Sequence, residues 1–274
     1  MSDEGRGTGE PHAAEKITRS VMGQPVPAAT LRAEELLARA RRAIGVAEEA
    51  GVPMRLLGGL GVFALCGSAR RPPLARPYRD FDVAVPAKRG PAASRTLEGA
   101  GFAPDRHFNA LHGARRMVFR APEGYPVDVL IGLFEMCHRL DIQSGLDHHE
   151  LTISPADLLL TKLQIVRIEP KDLGDAAALV LDLLPGAGRN AIDVDRFAAP
   201  LADDWGFIHT VAINLQKLRE FAAVALPTGE SAGLSEQVTR LREAMEAVPK
   251  SLKWKVRARV GERVSWYEIP DELE

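Results

Sequence analysis

The chain has 274 residues, 46% of them hydrophobic and 26% charged, enough apolar surface for the core of one large domain or two modest ones. Thirty-five basic residues against 37 acidic ones leave a formal charge of -2, so a polyanionic partner would have to be held by a local patch, not by overall charge. There is no apolar leader after Met1 and no run near the roughly 20 apolar residues that span a bilayer, and Cys66 and Cys137 lack CxxC spacing; the expectation is a cytoplasmic protein with buried, inert thiols.

Residues 1–26, rich in Gly, Glu, Arg, Thr and Pro without periodicity, read as a disordered lead-in. Leu31, Leu36, Leu37, Ala40, Ile44 and Ala47 then form one apolar stripe, which predicts a helix from about Ala29 to Ala50. Met54 to Leu57 reads as a short buried strand, Gly58-Gly59 as a turn, and Leu60 to Cys66 as a helix beneath a sheet. Gly67 to Tyr78, with its arginines and prolines, is an irregular basic loop. Strands are expected over Asp80 to Val85, Arg115 to Arg120 and Pro126 to Ile131, the last two joined as a hairpin through Ala121 to Tyr125, with a helix from Gly90 to about Gly101.

From Ser154 the period becomes helical: Ser154-Pro155-Ala156-Asp157 supplies an N-cap serine, proline at the first position and an acid at the third. That helix should break near Glu169-Pro170, with others over Lys171 to Leu184, Val211 to Ala225 and Ser235 to Ala247. The predicted fold is α+β, a small mixed sheet flanked by helices over residues 27–150 and a helical part over 151–274.

The candidate chemistry lies in carboxylates. In a strand alternate side chains share a face, so Asp80 and Asp82 emerge together while Phe81, Val83 and Val85 enter the core. Two such charges repel unless a divalent cation with oxygen ligands neutralises them. Asp128, between Val127 and Val129, repeats the pattern and could join them. Three carboxylates can hold two magnesium ions about 3.5 to 4 Å apart, which suits phosphoryl transfer by in-line displacement. Gly58-Gly59, between a strand and a helix, lets backbone N–H groups approach a phosphate.

Gly58-Gly59, Asp80-Phe81-Asp82 and Val127-Asp128-Val129 together resemble the hG[GS], [DE]h[DE] and h[DE]h signature of the DNA polymerase beta-type nucleotidyltransferase superfamily, over about residues 54 to 131. Asp157 to Gln164 and Lys171 to Asp175 look like later motifs of its AbiEii-like toxin branch. The resemblance implies a nucleotidyltransferase core and a magnesium-dependent enzyme that moves a nucleoside monophosphate from an NTP, such as ATP, to an acceptor hydroxyl with release of pyrophosphate. It implies Asp80, Asp82 and Asp128 as metal ligands and Gly58 and Gly59 as the triphosphate seat. By the same resemblance, Lys162 and Asp172, ahead of Asp175, contribute to nucleotide binding and activity. The acceptor it suggests is tRNA, with a protein antitoxin as partner; a small molecule such as an aminoglycoside, or a catalytically silent nucleotide-binding protein of the same fold, is the alternative. Two features depart from the pattern. Gly59 stands where many members carry serine, and the basic loop lengthens the gap to Asp80.

Arg70, Arg71, Arg76 and Arg79 lie where they could meet a triphosphate or an RNA backbone. Lys250, Lys253, Lys255, Arg257, Arg259 and Arg263, with Trp254 among them and Trp266 and Tyr267 after, suit a nucleic-acid strand, as helix or alternating strand. Cys137-His138 and His148-His149-Glu150 lack partners at metal or nucleophile spacing and read as structural.

Overall fold

The computed structural model describes residues 26–188 and 190–269, so the expected lead-in lies, but for Val26, outside the described residues. Helix α1 (Val26–Glu49) precedes β1 (Arg55–Leu57), α2 (Gly58–Leu65), β2 (Phe81–Val85) and α3 (Gly90–Gly99). Then come β3 (Ala103–Pro104), α4 (Arg106–His112), β4 (Arg116–Arg120) and β5 (Pro126–Ile131), followed by a separate β6 (Leu133–Glu135) and β7 (Arg139–Asp141) ribbon. The helices α5 (Pro155–Leu163), α6 (Pro170–Asp182), α7 (Val194–Ala198), α8 (Trp205–Ala225), α9 (Thr228–Ala247) and α10 (Leu252–Val260) complete the α+β architecture.

The main sheet runs β1-β2-β5-β4-β3 and is mixed: β2 and β5 are parallel and the other pairs antiparallel. Alternation sorts its two faces. Phe81, Val83, Val85, Val127, Val129, Ile131, Met117 and Phe119 pack on one side into a core shared with α1 and α3. On the other side Leu57, Ala84 and Leu130 pack with the C-terminal helices, and Asp82 and Asp128 stand on the same face further along. Helix α2 serves both cores, Leu60 and Phe63 in the first and Val62 and Cys66 in the second.

Several elements differ from the expectation. The two-residue β3 and the β6/β7 ribbon are too short to announce themselves by period. Helix α4 has no apolar stripe; it forms because Asp105 caps it, Oδ1 accepting from the Phe108 N–H at 2.9 Å, and because Asn109 is tied to β4. Helix α8 begins at Trp205, six residues before Val211, where Asp204 accepts from the Phe207 N–H. Helix α9 begins at Thr228, not Ser235. The expected cap of α5 is present, Ser154 Oγ accepting from the Asp157 N–H at 3.1 Å, while the Asp157 carboxylate binds Arg196. The basic C-terminal stretch, open between helix and strand, is helix α10.

Candidate functional site

Strands β2 and β5 set Asp82 directly beside Asp128 in register. The sequence suggested that Asp128, on a later strand, could join Asp80 and Asp82; the parallel pairing makes Asp82 and Asp128 immediate neighbours. Asp80, just before β2, is exposed, while Asp82 is half-buried. Burial first, then the charges of Asp80 and Asp128, push the Asp82 carboxyl up to about 7, against the opposing pull of Lys162 and Arg116.

The glycine turn meets this carboxylate. Gly58 has φ +65°, and a Cβ built there would fall 2.0 Å from Asp82 Oδ2, so both its backbone and its neighbour require glycine. A Cβ at Gly59 would fall 2.0 Å from Arg76 Nη2. The basic loop therefore lays a guanidinium over Gly59.

Arg76 is held there by Asp175, whose Oδ1 and Oδ2 accept from Nε and Nη2 at 3.0 and 2.7 Å, and it lies 4.3 Å from the Tyr78 ring centre. Lys162 Nζ reaches Asp172 Oδ1 at 3.0 Å and Asp175 Oδ2 at 2.9 Å. Burial alone would lower the Lys162 pKa; Asp175 and then Asp172 outweigh it and hold it above the ordinary lysine value. Asp175 is likewise kept below the usual carboxylate value, because Lys162 and Arg76 overcome its own burial.

A cleft of about 540 Å³ opens between these groups, with Gly59, Arg76, Asp80 and Asp82 on one side and Lys162 and Asp172 on the other. The hydroxyl of Tyr78, another lining residue, is buried without a hydrogen-bond partner among the described residues. Gly58 and Asp128, both beside Asp82, do not line this cleft.

Asp128, on the same face as Asp82, is paired with Arg116, its Oδ1 2.7 Å from Arg116 Nε. Among the described residues no three carboxylate, imidazole or thiolate groups form a ready-made metal cage. Magnesium does not require such a cage: it is usually held by one or two carboxylates, with water and substrate phosphates completing the shell. An Asp82 carboxyl raised by burial and then by its carboxylate neighbours fits that demand for a cation.

No family model matches the chain, and no curated protein does. The solution structure of the antibiotic-resistance factor ANT(2'')-Ia is 11% identical, with a TM-score of 0.37 over 68% of this chain and 92% of its own. An antigenic nucleotidyltransferase-like protein from Paracoccidioides brasiliensis is 13% identical, with a TM-score of 0.38 over 82% of this chain and 96% of its own.

The remaining candidates fall into structural places. Cys66 and Cys137 are free and buried, and burial followed by Asp182 pushes the Cys66 thiol well above its usual value. His138 is buried, its Nε2 2.8 Å from Thr210 Oγ1, and burial pushes it down to about 4. His149 Nδ1 accepts from the Leu151 and Thr152 N–H groups at 3.1 and 3.2 Å. In and just after α10 the aromatic rings turn inward: Trp254 packs against the helical core, and Trp266 lies edge-on to Trp205 and His209.

Sequence patterns alone pass over Arg116 and rank Asp175 below Asp172. The hairpin turn carried a signal for the first: pairing Arg120 with Pro126 puts Val118 opposite Asp128 and Arg116 on its diagonal. For the second there was none, since Arg76, the deciding partner, is 99 positions away.

Proposed function

We propose that the chain is a magnesium-dependent nucleotidyltransferase, moving a nucleoside monophosphate from an NTP to an acceptor hydroxyl with release of pyrophosphate. One observation carries this reading: Asp82 and Asp128 stand side by side on parallel strands, with Asp82 against a left-handed glycine at the start of a helix. Asp80, Asp82 and Asp128 would hold magnesium, which when bound neutralises phosphate charge and lowers the pKa of an attacking hydroxyl.

This chain's own residues supply the rest. Backbone N–H groups at Gly58-Gly59 and the N-terminus of α2 receive the triphosphate. Lys162, oriented by Asp172 and Asp175, offers it a point charge, and Arg76 offers a planar fork from the loop. The Asp128 carboxylate, held by Arg116, accepts the proton of the acceptor hydroxyl. RNA, and tRNA first, is the acceptor proposed, as for a toxin of a toxin–antitoxin pair.

The test is incubation with magnesium and each labelled NTP, with total RNA or an aminoglycoside as acceptor. Label on RNA is the expected result. Label on the small molecule alone would replace the acceptor, and no transfer to any acceptor would remove the enzymatic reading. Undiminished transfer by Asp82→Ala would remove the site assignment.

A further inference from the structure

We infer that α4 and the first residues of β4 form a platform for a single nucleic-acid strand, placed so that the strand's terminal hydroxyl reaches Asp128. Calling that strand the acceptor rests on the nucleotidyl-transfer reading; the affinity of the surface for it does not.

Position comes first. Asn109 fastens α4 to β4 in both directions, Nδ2 donating to the Val118 carbonyl at 3.1 Å and Oδ1 accepting the Val118 N–H at 2.7 Å. Val118 is in register with Asp128, and Asp128 with Asp82. One row across the sheet therefore joins α4 to the carboxylates, with Val118 roughly 10 Å from Asp82 at ordinary strand spacing. The nucleotide cleft, with Arg76 and Lys162, takes in Asp82 but not Asp128. Asp82 is thus left between the cleft and α4, as transfer between two substrates requires.

The chemistry of α4 then names the ligand. Phe108 and His112 form a tilted ring pair with centroids 4.7 Å apart, and the Arg116 guanidinium lies 5.6 Å over Phe108 while also holding Asp128. Arg106, His107 and Arg115 are near them in the chain, and all three are exposed. The acidic groups nearby have other duties: Asp105 caps α4, Asp128 receives Arg116, and Glu135 is shared by Arg115 and Arg139. Rings that accept a base on their faces, beside guanidiniums that accept phosphate, match a single strand. A polycationic small acceptor would meet like charge at the same place. The C-terminal basic helix offers no equivalent, because its aromatic rings pack against the body of the protein.

The experiment measures binding of a fluorescent single-stranded RNA oligonucleotide with a free 3′-hydroxyl, by anisotropy over a range of salt, in EDTA and without NTP. Arg106→Glu with Arg115→Glu, both on the surface, should weaken binding at least tenfold and flatten the salt dependence by about 0.7 for each phosphate no longer neutralised. Phe108→Ala with His112→Ala should weaken it roughly tenfold or more, with less change in salt dependence. Magnesium–NTP affinity, read separately, should stay at the wild-type value in both. An oligonucleotide that the wild type does not bind, or that the folded Arg106→Glu, Arg115→Glu protein binds equally well, overturns the platform. Strand binding that follows the variants in a protein that transfers no nucleotide leaves the platform standing and removes the nucleotidyl-transfer reading instead.

Discussion

Asp82 works against the folded state in the absence of a cation. Its carboxyl, ordinarily at 3.8, is raised to about 7 by burial and by Asp80 and Asp128, so the native protein binds this proton more tightly than the unfolded chain does. The stabilisation is complete below pH 4 and is lost as pH rises towards 7. Metal-free protein should therefore lose stability across that window, on the order of 1 to 3 kcal/mol from this group. Asp82→Asn should melt higher than wild type at pH 8, lack the pH slope and transfer no nucleotide; magnesium should raise the wild-type melting temperature and leave the variant's unchanged. A wild-type melting temperature indifferent to both pH and magnesium would contradict this role for the residue. Gly58→Ala tests the same carboxylate from outside. Strain at φ +65° and the 2.0 Å approach to Asp82 Oδ2 should together cost about 2 kcal/mol and displace Asp82, abolishing the magnesium-dependent shift.

Among elements, α6 matters to the site through one face. Asp172 and Asp175, three positions apart on it, hold Lys162 from α5, and Asp175 also holds Arg76 from the loop before β2. Removing that shared carboxylate leaves the Arg76 guanidinium without its bidentate partner and Lys162 with Asp172 alone. Asp175→Ala should lower stability by about 3 kcal/mol in urea denaturation, and more than Asp172→Ala, which leaves Arg76 its partner. Equal losses would mean that the bidentate contact with Arg76 adds nothing. The sequence displayed β2, the glycine turn, the β4/β5 hairpin and the Ser154 cap, because each is a local pattern of alternation, turn residues or capping. It did not display α4, whose Arg106 to His112 segment depends on Asn109 reaching the Val118 backbone. Nor did it display the parallel pairing of β2 with β5, since that neighbourhood is created by the chain crossing over, not by either strand. Asp80, Asp82 and Asp128 could be named from type and spacing; their distances from Arg76, Arg116 and Lys162 are products of topology.

On the scale of the molecule, the two cores share α2, and Ser68 just after it is bound by Asp182 at the end of α6, N and Oγ donating at 2.8 and 2.5 Å. Residues 27–150 made alone would expose Val62, Cys66 and Ala84, and residues 151–274 would expose the helices that cover them. Each piece should fail to give a cooperative melt, whereas the whole chain should unfold in a single transition with coincident circular dichroism and tryptophan fluorescence. Two resolved transitions in the whole chain would show separable units.

The split of the site along the chain also orders its assembly during synthesis. The carboxylates and the glycine turn are complete once residue 131 has left the ribosome, but Lys162 and the carboxylate that fixes Arg76 emerge later, at 162 and 175. A nascent or truncated chain thus carries the strand carboxylates with Arg76 unanchored and Lys162 still missing, and the arrangement waits on the finished molecule.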